Sequence, residues 1–167
     1  LYQSLLESLG IRLPPLSSRA YADNEDIPPE AFVNPVFQLA ISLNTDRYYP
    51  ELLGMTLFLE WEVLSLVPGV MLYEYLGVNA QFWRMHIGID NATNGHGAKA
   101  RDAVLLYLDR VRQEGGETAV QNYWARIWRG FVAFAVVGND VYGSDTAIAR
   151  RRLGNAADKI TEIMLRK

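Results

Sequence analysis

The chain contains two histidines, and both fall in one short segment, His86-Ile-Gly-Ile-Asp90-Asn-Ala-Thr-Asn-Gly-His96, with an aspartate between them. His86 and Asp90 have the i, i+4 spacing that places two side chains on one helix face. Imidazole and carboxylate together are ligands suited to iron. The plainer alternative is a His–Asp hydrogen bond inside a helical core.

A third donor comes from an earlier helical segment, Glu51 to Val67. There Leu53, Leu57, Leu64 and Val67 form one apolar stripe on which Glu60 lies, while Glu62 lies nearer a second stripe of Met55, Leu59 and Leu66. A carboxylate on an apolar stripe is costly to bury unless a cation or metal compensates it. An exposed rim glutamate is the other reading of the same pattern. Glu60, His86, Asp90 and His96 make an N,N,O,O donor set, which suits iron or manganese held by side chains projecting inward from facing helices. His96 poses a geometric problem. At ~100° per residue it falls about 80° from His86 on an unbroken helix, and Thr93 would continue the His86–Asp90 stripe instead. Asn91, Asn94 and Gly95 are weak helix formers, so a break between Asn91 and Gly95 is expected to return His96 to the metal face.

The elements that must position these residues are helical throughout. Leu1 to Leu9 repeats leucine at helical spacing and ends at Gly10, a C-cap. Ile11 to Glu30, with Pro14-Pro15 and Pro28-Pro29, reads as a connecting loop. Asn34-Pro35 opens a helix through Leu43, and Pro50 takes position N1 of a helix that Pro68-Gly69 breaks after Val67. Val70 to Leu76 is short and closed by Gly77. Asn79 caps the histidine-bearing helix, which runs with its interruption to Arg112. Gly115-Gly116 separates this from a helix over Glu117 to Val137. A loop at Gly138 to Ser144 follows, and a last helix, Thr146 to Arg166, carries Ile148, Leu153, Ile160 and Ile163, with Asp145 as N-cap. No strand alternation and no repeat is visible, so the fold class is all-α, a helical bundle.

At 167 residues the chain is long enough for one domain with a sizeable core. A net charge of -3 gives no footprint for nucleic acid. Arg150-Arg151-Arg152 reads as a solvated helix face. Cysteine is absent, which excludes disulfides, thiolate-bound zinc and thiol catalysis and fits a cytoplasmic protein. The longest continuous apolar run, Phe131 to Val137, falls far short of the ~20 residues of a membrane span. There is no nucleophile elbow, no phosphate-binding glycine loop and no dinucleotide fingerprint. The tryptophans Trp61, Trp83, Trp124 and Trp128 are expected in the core. Arg84 and Lys99 flank the motif as surface cations able to hold a substrate carboxylate, and Asn91 could orient a ligand carboxylate.

The runs Pro50-Glu51-Leu52-Leu53-Gly54-Met55-Thr56-Leu57-Phe58-Leu59-Glu60, His86-x3-Asp90-Asn91 and Gly95-His96-Gly97 resemble the iron-containing redox enzyme family, within the haem-oxygenase-like diiron oxidases and oxygenases. The likeness covers roughly Tyr48 to Leu108. It implies a haem-oxygenase-like bundle without haem, with two irons, Fe(II)/Fe(III), that activate dioxygen to oxidise a small metabolite, amino-acid-like in the present reading. Glu60 resembles the family's bridging glutamate, with Glu62 a lesser claimant, and His86, Asp90 and His96 resemble its His, Asp and His ligands. Two departures stand out. The wider group commonly shows His-x3-Asp-x2-His, whereas this chain has three more residues before His96. The group also supplies a glutamate and a histidine from an earlier helix, where this chain has only Glu7 and no histidine. Since the chain opens directly in helical periodicity at Leu1, it is expected to be the C-terminal part of a longer chain, with residues 1–167 as one helical domain. The expected partners are a small-molecule substrate, an external electron donor and a second copy in a homodimer, without nucleic acid or membrane. The rival from another class is a metal-free helical binding or scaffold domain.

Overall fold

Glycine sets several of the helix limits. Gly10, Gly77 and Gly116 have φ of 76, 71 and 70°, the left-handed conformation that ends a helix at low cost only without a Cβ. The computed structural model describes the backbone of residues 2–61, 63 and 66–165 and the side chains of 3–61, 63 and 66–137. Among the described residues there are helices and no strand, which is the all-α class. Helix α1 spans Tyr2–Ser8, α2 Arg19–Ala22, α3 Val33–Ser42, α4 Thr45–Trp61, α5 Leu66–Tyr75, α6 Gln81–Ile89 and α7 His96–Leu165, with a 3-10 turn at Pro29–Phe32.

Local chemistry accounts for most starts. The Asn79 side chain accepts from the Gln81 N–H at 2.9 Å and so opens α6. In α4 the non-helical Tyr48 (φ -117°, ψ 22°) joins a preceding turn to the helix proper, which leaves Pro50 in a first turn where its missing N–H is no loss. The segment 11–30 is not wholly loop. Ser18 caps the short α2 by accepting from the Tyr21 N–H.

Three boundaries differ from expectation. Helix α4 ends at Trp61, and α5 begins at Leu66 and runs through Pro68-Gly69. Pro68 falls in the first turn of α5, the one place in a helix that tolerates it. The backbone of α7 continues through Gly138 to Ser144 without the expected loop. Glycine costs a helix only about 1 kcal/mol per residue relative to alanine and weakens it without stopping it. The side chains expected to pattern the last helix, Asp145, Ile148, Arg150, Arg151, Arg152, Leu153, Ile160 and Ile163, lie outside the described residues.

The core lies between α4 and the two arms of α7, which fold back on each other at Gly116 (φ 70°, ψ -171°). Tyr107 on the first arm meets Tyr123 on the second at 5.8 Å between ring centroids, and Tyr49 of α4 meets Tyr107 at 5.4 Å. Helix α4 runs antiparallel to the first arm, Tyr49 facing Tyr107 and Trp61 facing Gly97. It runs parallel to the second, Glu51 facing Arg126 and Phe58 facing Phe131 and Phe134. Helix α3 adds Phe37 against Phe134.

The crossing of α4 with the second arm is close enough to require glycine. A Cβ on Gly54 would strike the Ile127 carbonyl, and one on Gly130 would lie 2.6 Å from the Glu51 Cα. The buried residues here include Met55, Ala98, Ala100, Val104, Ile127 and Phe134. So narrow a seam has no room for indoles. Trp61, Trp124 and Trp128 are therefore exposed, contrary to the core role expected of them, and Trp128 stacks outside on Phe131 at 5.1 Å.

Glu51 is the buried acid of this seam, 6% exposed. Arg126 donates from Nε to its Oε1 at 2.9 Å and from Nη2 to its Oε2 at 2.7 Å, and also reaches the Arg47 carbonyl at 2.6 Å. Burial pushes the Glu51 carboxyl up. The hydrogen bonds from Arg126 and from its own backbone, with the charges of Arg126 and Arg129, outweigh this and hold it below the ordinary glutamate value. A depressed carboxylate contributes stability that is present above the unfolded-state pKa and lost as pH falls through the folded one. Glu51→Gln is therefore expected to cost about 2 kcal/mol at neutral pH. It should also flatten the loss of stability below about pH 4.3. Urea unfolding over a pH series checks this; an unchanged acid limb in the variant would show that another group carries it.

The stretch Thr45–Tyr75 reaches a mean hydropathy of 1.5 in an 18-residue window, which by length and composition alone would suit a membrane span. It contains Glu51 and Glu60, and it is divided between α4 and α5. This is weak evidence for a span.

Candidate metal centre

Three helix ends converge on one point. Glu60 is in the last turn of α4, Asp90 follows the last residue of α6 as its C-cap, and His96 is the first residue of α7. Each offers one donor atom, and these atoms all lie within 4.8 Å of one another. His96 Nδ1 is 2.9 Å from Asp90 Oδ1 and 3.5 Å from Glu60 Oε2. The Asp90 and Glu60 side chains are 14% and 27% exposed, and that of His96 49%.

The break that brings His96 in is built by Asn91. Its Oδ1 accepts from the backbone N–H groups of Thr93, Asn94 and Gly95 at 3.0, 3.0 and 3.2 Å, and its Nδ2 donates to the Gly88 carbonyl at 2.9 Å. This Asx-type turn offers the backbone an alternative to the helix. Asn91 thus shapes the loop, where the sequence reading had it orienting a carboxylate. Gly95 and Gly97 complete the turn. A Cβ on Gly95 would strike the Ile89 carbonyl, and one on Gly97 would lie 2.9 Å from the Glu60 carbonyl and 3.0 Å from that of Asn91. The Gly-His-Gly sequence therefore lets the start of α7 approach the end of α4.

His86 is not part of this grouping. It sits half-buried on α6 with its ring 4.4 Å from that of Phe82. Its Nδ1 lies 2.7 Å from the Phe82 carbonyl, which can only accept, so the ring donates there. Asp90 is the C-cap of α6, its N–H still bonded to the His86 carbonyl at 2.8 Å, and its carboxylate is the one that meets His96. Glu62 lies outside the described residues.

The electrostatics favour a cation. Two carboxylates sit at the C-terminal ends of α4 and α6, where the helix dipoles add partial negative charge. Burial, the charge of Asp90 and a hydrogen bond shared with Asp90 push the Glu60 carboxyl above its ordinary value, while His96 pulls it back. A bound metal ion would relieve that repulsion, and one imidazole with two carboxylates is a nitrogen–oxygen donor set that iron or manganese can accept. The residues fit one ion; a second would need donors beyond these three.

Glu51 and Arg126, which no sequence pattern singled out, hold the other end of α4 against α7. Met55 and Gly54 share Glu51's helix face, and that stripe of positions 51, 54, 55 and 58 is the signal that could have marked it.

No curated protein and no solved structure matches the chain. A family model described as iron-containing redox enzyme does match, over residues 1–131, which takes in Glu60, His86, Asp90 and His96 and reaches well past the stretch 48–108. Together with the helical architecture of the described residues, this identifies a haem-oxygenase-like bundle with a redox function, and the chain belongs to the iron-containing redox enzyme family.

Proposed function

We propose that the protein is a non-haem iron oxidoreductase that uses dioxygen to oxidise a small, amino-acid-like metabolite. The observation that carries the reading is the convergence of Glu60, Asp90 and His96 donor atoms within 4.8 Å. Bound iron supplies Lewis acidity and reversible one-electron chemistry toward dioxygen. Glu60 and Asp90 contribute the negative charge that holds Fe(II), and His96 contributes the nitrogen donor. The turn ordered by Asn91 fixes where His96 stands before any ion arrives, so little reorganisation accompanies binding. Three protein donors would leave a bound ion able to take exogenous ligands.

In this reading the working centre would hold two irons. His86, one turn before Asp90 on α6, would be the donor offered to the second through its Nε2, since its Nδ1 is engaged by the Phe82 carbonyl. Lys99, exposed in the first turn of α7, is the cation this reading would assign to a substrate carboxylate. An external electron donor would supply the reducing equivalents.

The test is anaerobic reconstitution of the full-length protein with Fe(II), followed by iron analysis and oxygen uptake. Stoichiometric iron and oxygen consumption are expected, and both should disappear in a Glu60→Ala, Asp90→Ala double variant. Iron content unchanged in that variant would sink the proposal, and wild-type protein that takes up no iron would favour the scaffold reading.

A further inference from the structure

We infer that Trp61 is a positioning residue for this centre, a latch whose single indole hydrogen bond sets His96 against Glu60 and Asp90. The inference rests on the reading of those three residues as iron ligands. His96 opens α7, and half its side chain faces solvent. The Asn91 turn fixes the path of the chain between α6 and α7, but it does not tie α7 to α4, which carries Glu60. Trp61 does. Its Nε1–H donates to the Gly97 carbonyl at 2.8 Å, across 36 residues of sequence.

The bonded pair stands one residue on from the ligand pair on both helices: Trp61 follows Glu60, and Gly97 follows His96. A displacement of the Trp61–Gly97 contact therefore displaces the Glu60–His96 spacing by a similar amount. The acceptor suits the task. Gly97 is in the first turn of α7, and a backbone carbonyl has a second lone pair beyond its helical bond. The absence of a side chain there lets the ring in, because a Cβ on residue 97 would lie 2.9 Å from Trp61 Cδ1. The residue is 43% exposed, so it is not a buried core side chain. An indole offers one donor and no acceptor, and here that donor is spent on the backbone beside a ligand.

The test is a titration of the whole protein with cobalt(II), a stand-in for iron whose visible absorption reports coordination geometry. Trp61 is replaced by phenylalanine and, to keep the ring's shape, by β-(3-benzothienyl)alanine, in which sulfur takes the place of the N–H. Both are expected to bind cobalt(II) about tenfold more weakly, the lower end of losses seen when groups that orient ligands are removed. The saturated spectrum should also change in intensity. The benzothienyl protein should melt, metal-free, at the wild-type temperature. A 5-fluorotryptophan protein, which keeps the N–H, should match wild type in affinity and spectrum. If wild type binds cobalt(II), Glu60→Gln and Asp90→Asn lose it, and the Trp61 variants bind unchanged, the latch alone is overturned. Wild type that binds neither cobalt(II) nor iron overturns the ligand reading and the latch together.

Discussion

Gly130→Ala is expected to destabilise the protein by about 3 kcal/mol or more, the upper end for overpacking a closely packed site. The added methyl would meet backbone, which has no rotamer to change. Its carbon would strike the Glu51 carbonyl and lie 2.6 Å from the Glu51 carbonyl carbon and Cα. Gly54→Ala meets the same obstacle from the other side, at the Ile127 carbonyl, so either change must push α4 off the second arm of α7. That movement would also strain the Glu51–Arg126 pair, whose bidentate bonds of 2.9 and 2.7 Å require the two helices to stay close. Gly88 is the matched control. It too is helical, but a Cβ there meets nothing within 4 Å, so Gly88→Ala should be neutral or stabilising by about 0.5–1 kcal/mol. Urea unfolding of the three variants separates the effects. A Gly130→Ala protein as stable as Gly88→Ala would mean that the crossing is looser than its distances indicate.

Legibility in the sequence followed the range of the interaction. Features set within a few residues could be read directly. The ends at Gly10 and Gly77, the turn at Gly116 and the cap at Asn79 all follow from backbone freedom or a side chain meeting its own neighbouring N–H. The break between α6 and α7 was legible by an indirect route, since an off-face His96 among weak helix formers required one. The Glu51–Arg126 pair spans 75 residues, and although the stripe at 51, 54, 55 and 58 marks the buried face, nothing local names Arg126 as the partner. The glycine seam was equally hidden, because closeness between two helices is decided by how they cross. Exposure of Trp124 and Trp128 follows from that same narrow seam. Within the candidate centre, donor types were readable while their grouping was not. The i, i+4 spacing pairs Asp90 with His86, whereas the converging donors are Glu60, Asp90 and His96, with Asp90 Oδ1 2.9 Å from His96 Nδ1.

That regrouping leads to an expected result that differs sharply between the two histidines. Asp90→Ala and His96→Ala should each weaken Fe(II) binding by more than about 100-fold, beyond the range known for residues that only support ligands. Asp90 is the more consequential of the two carboxylates by geometry, being the less exposed and the one 2.9 Å from His96 Nδ1. Its loss removes an anionic donor and also frees the imidazole that it faces. His86→Ala should leave the affinity of the first iron within about tenfold, because His86 lies outside the converging donors and its Nδ1 is engaged by the Phe82 carbonyl. Its effect should appear in the total iron taken up by the full-length protein, where it removes a donor offered to a second ion. Anaerobic calorimetric titration with Fe(II) measures the first affinity, and iron analysis after reconstitution measures the second. Thermal melts of the metal-free variants guard against unfolding as the cause, since none of the three side chains is fully buried. Loss of the first iron in His86→Ala with retention in His96→Ala would reverse the assignment, and would place the ligand face back on α6.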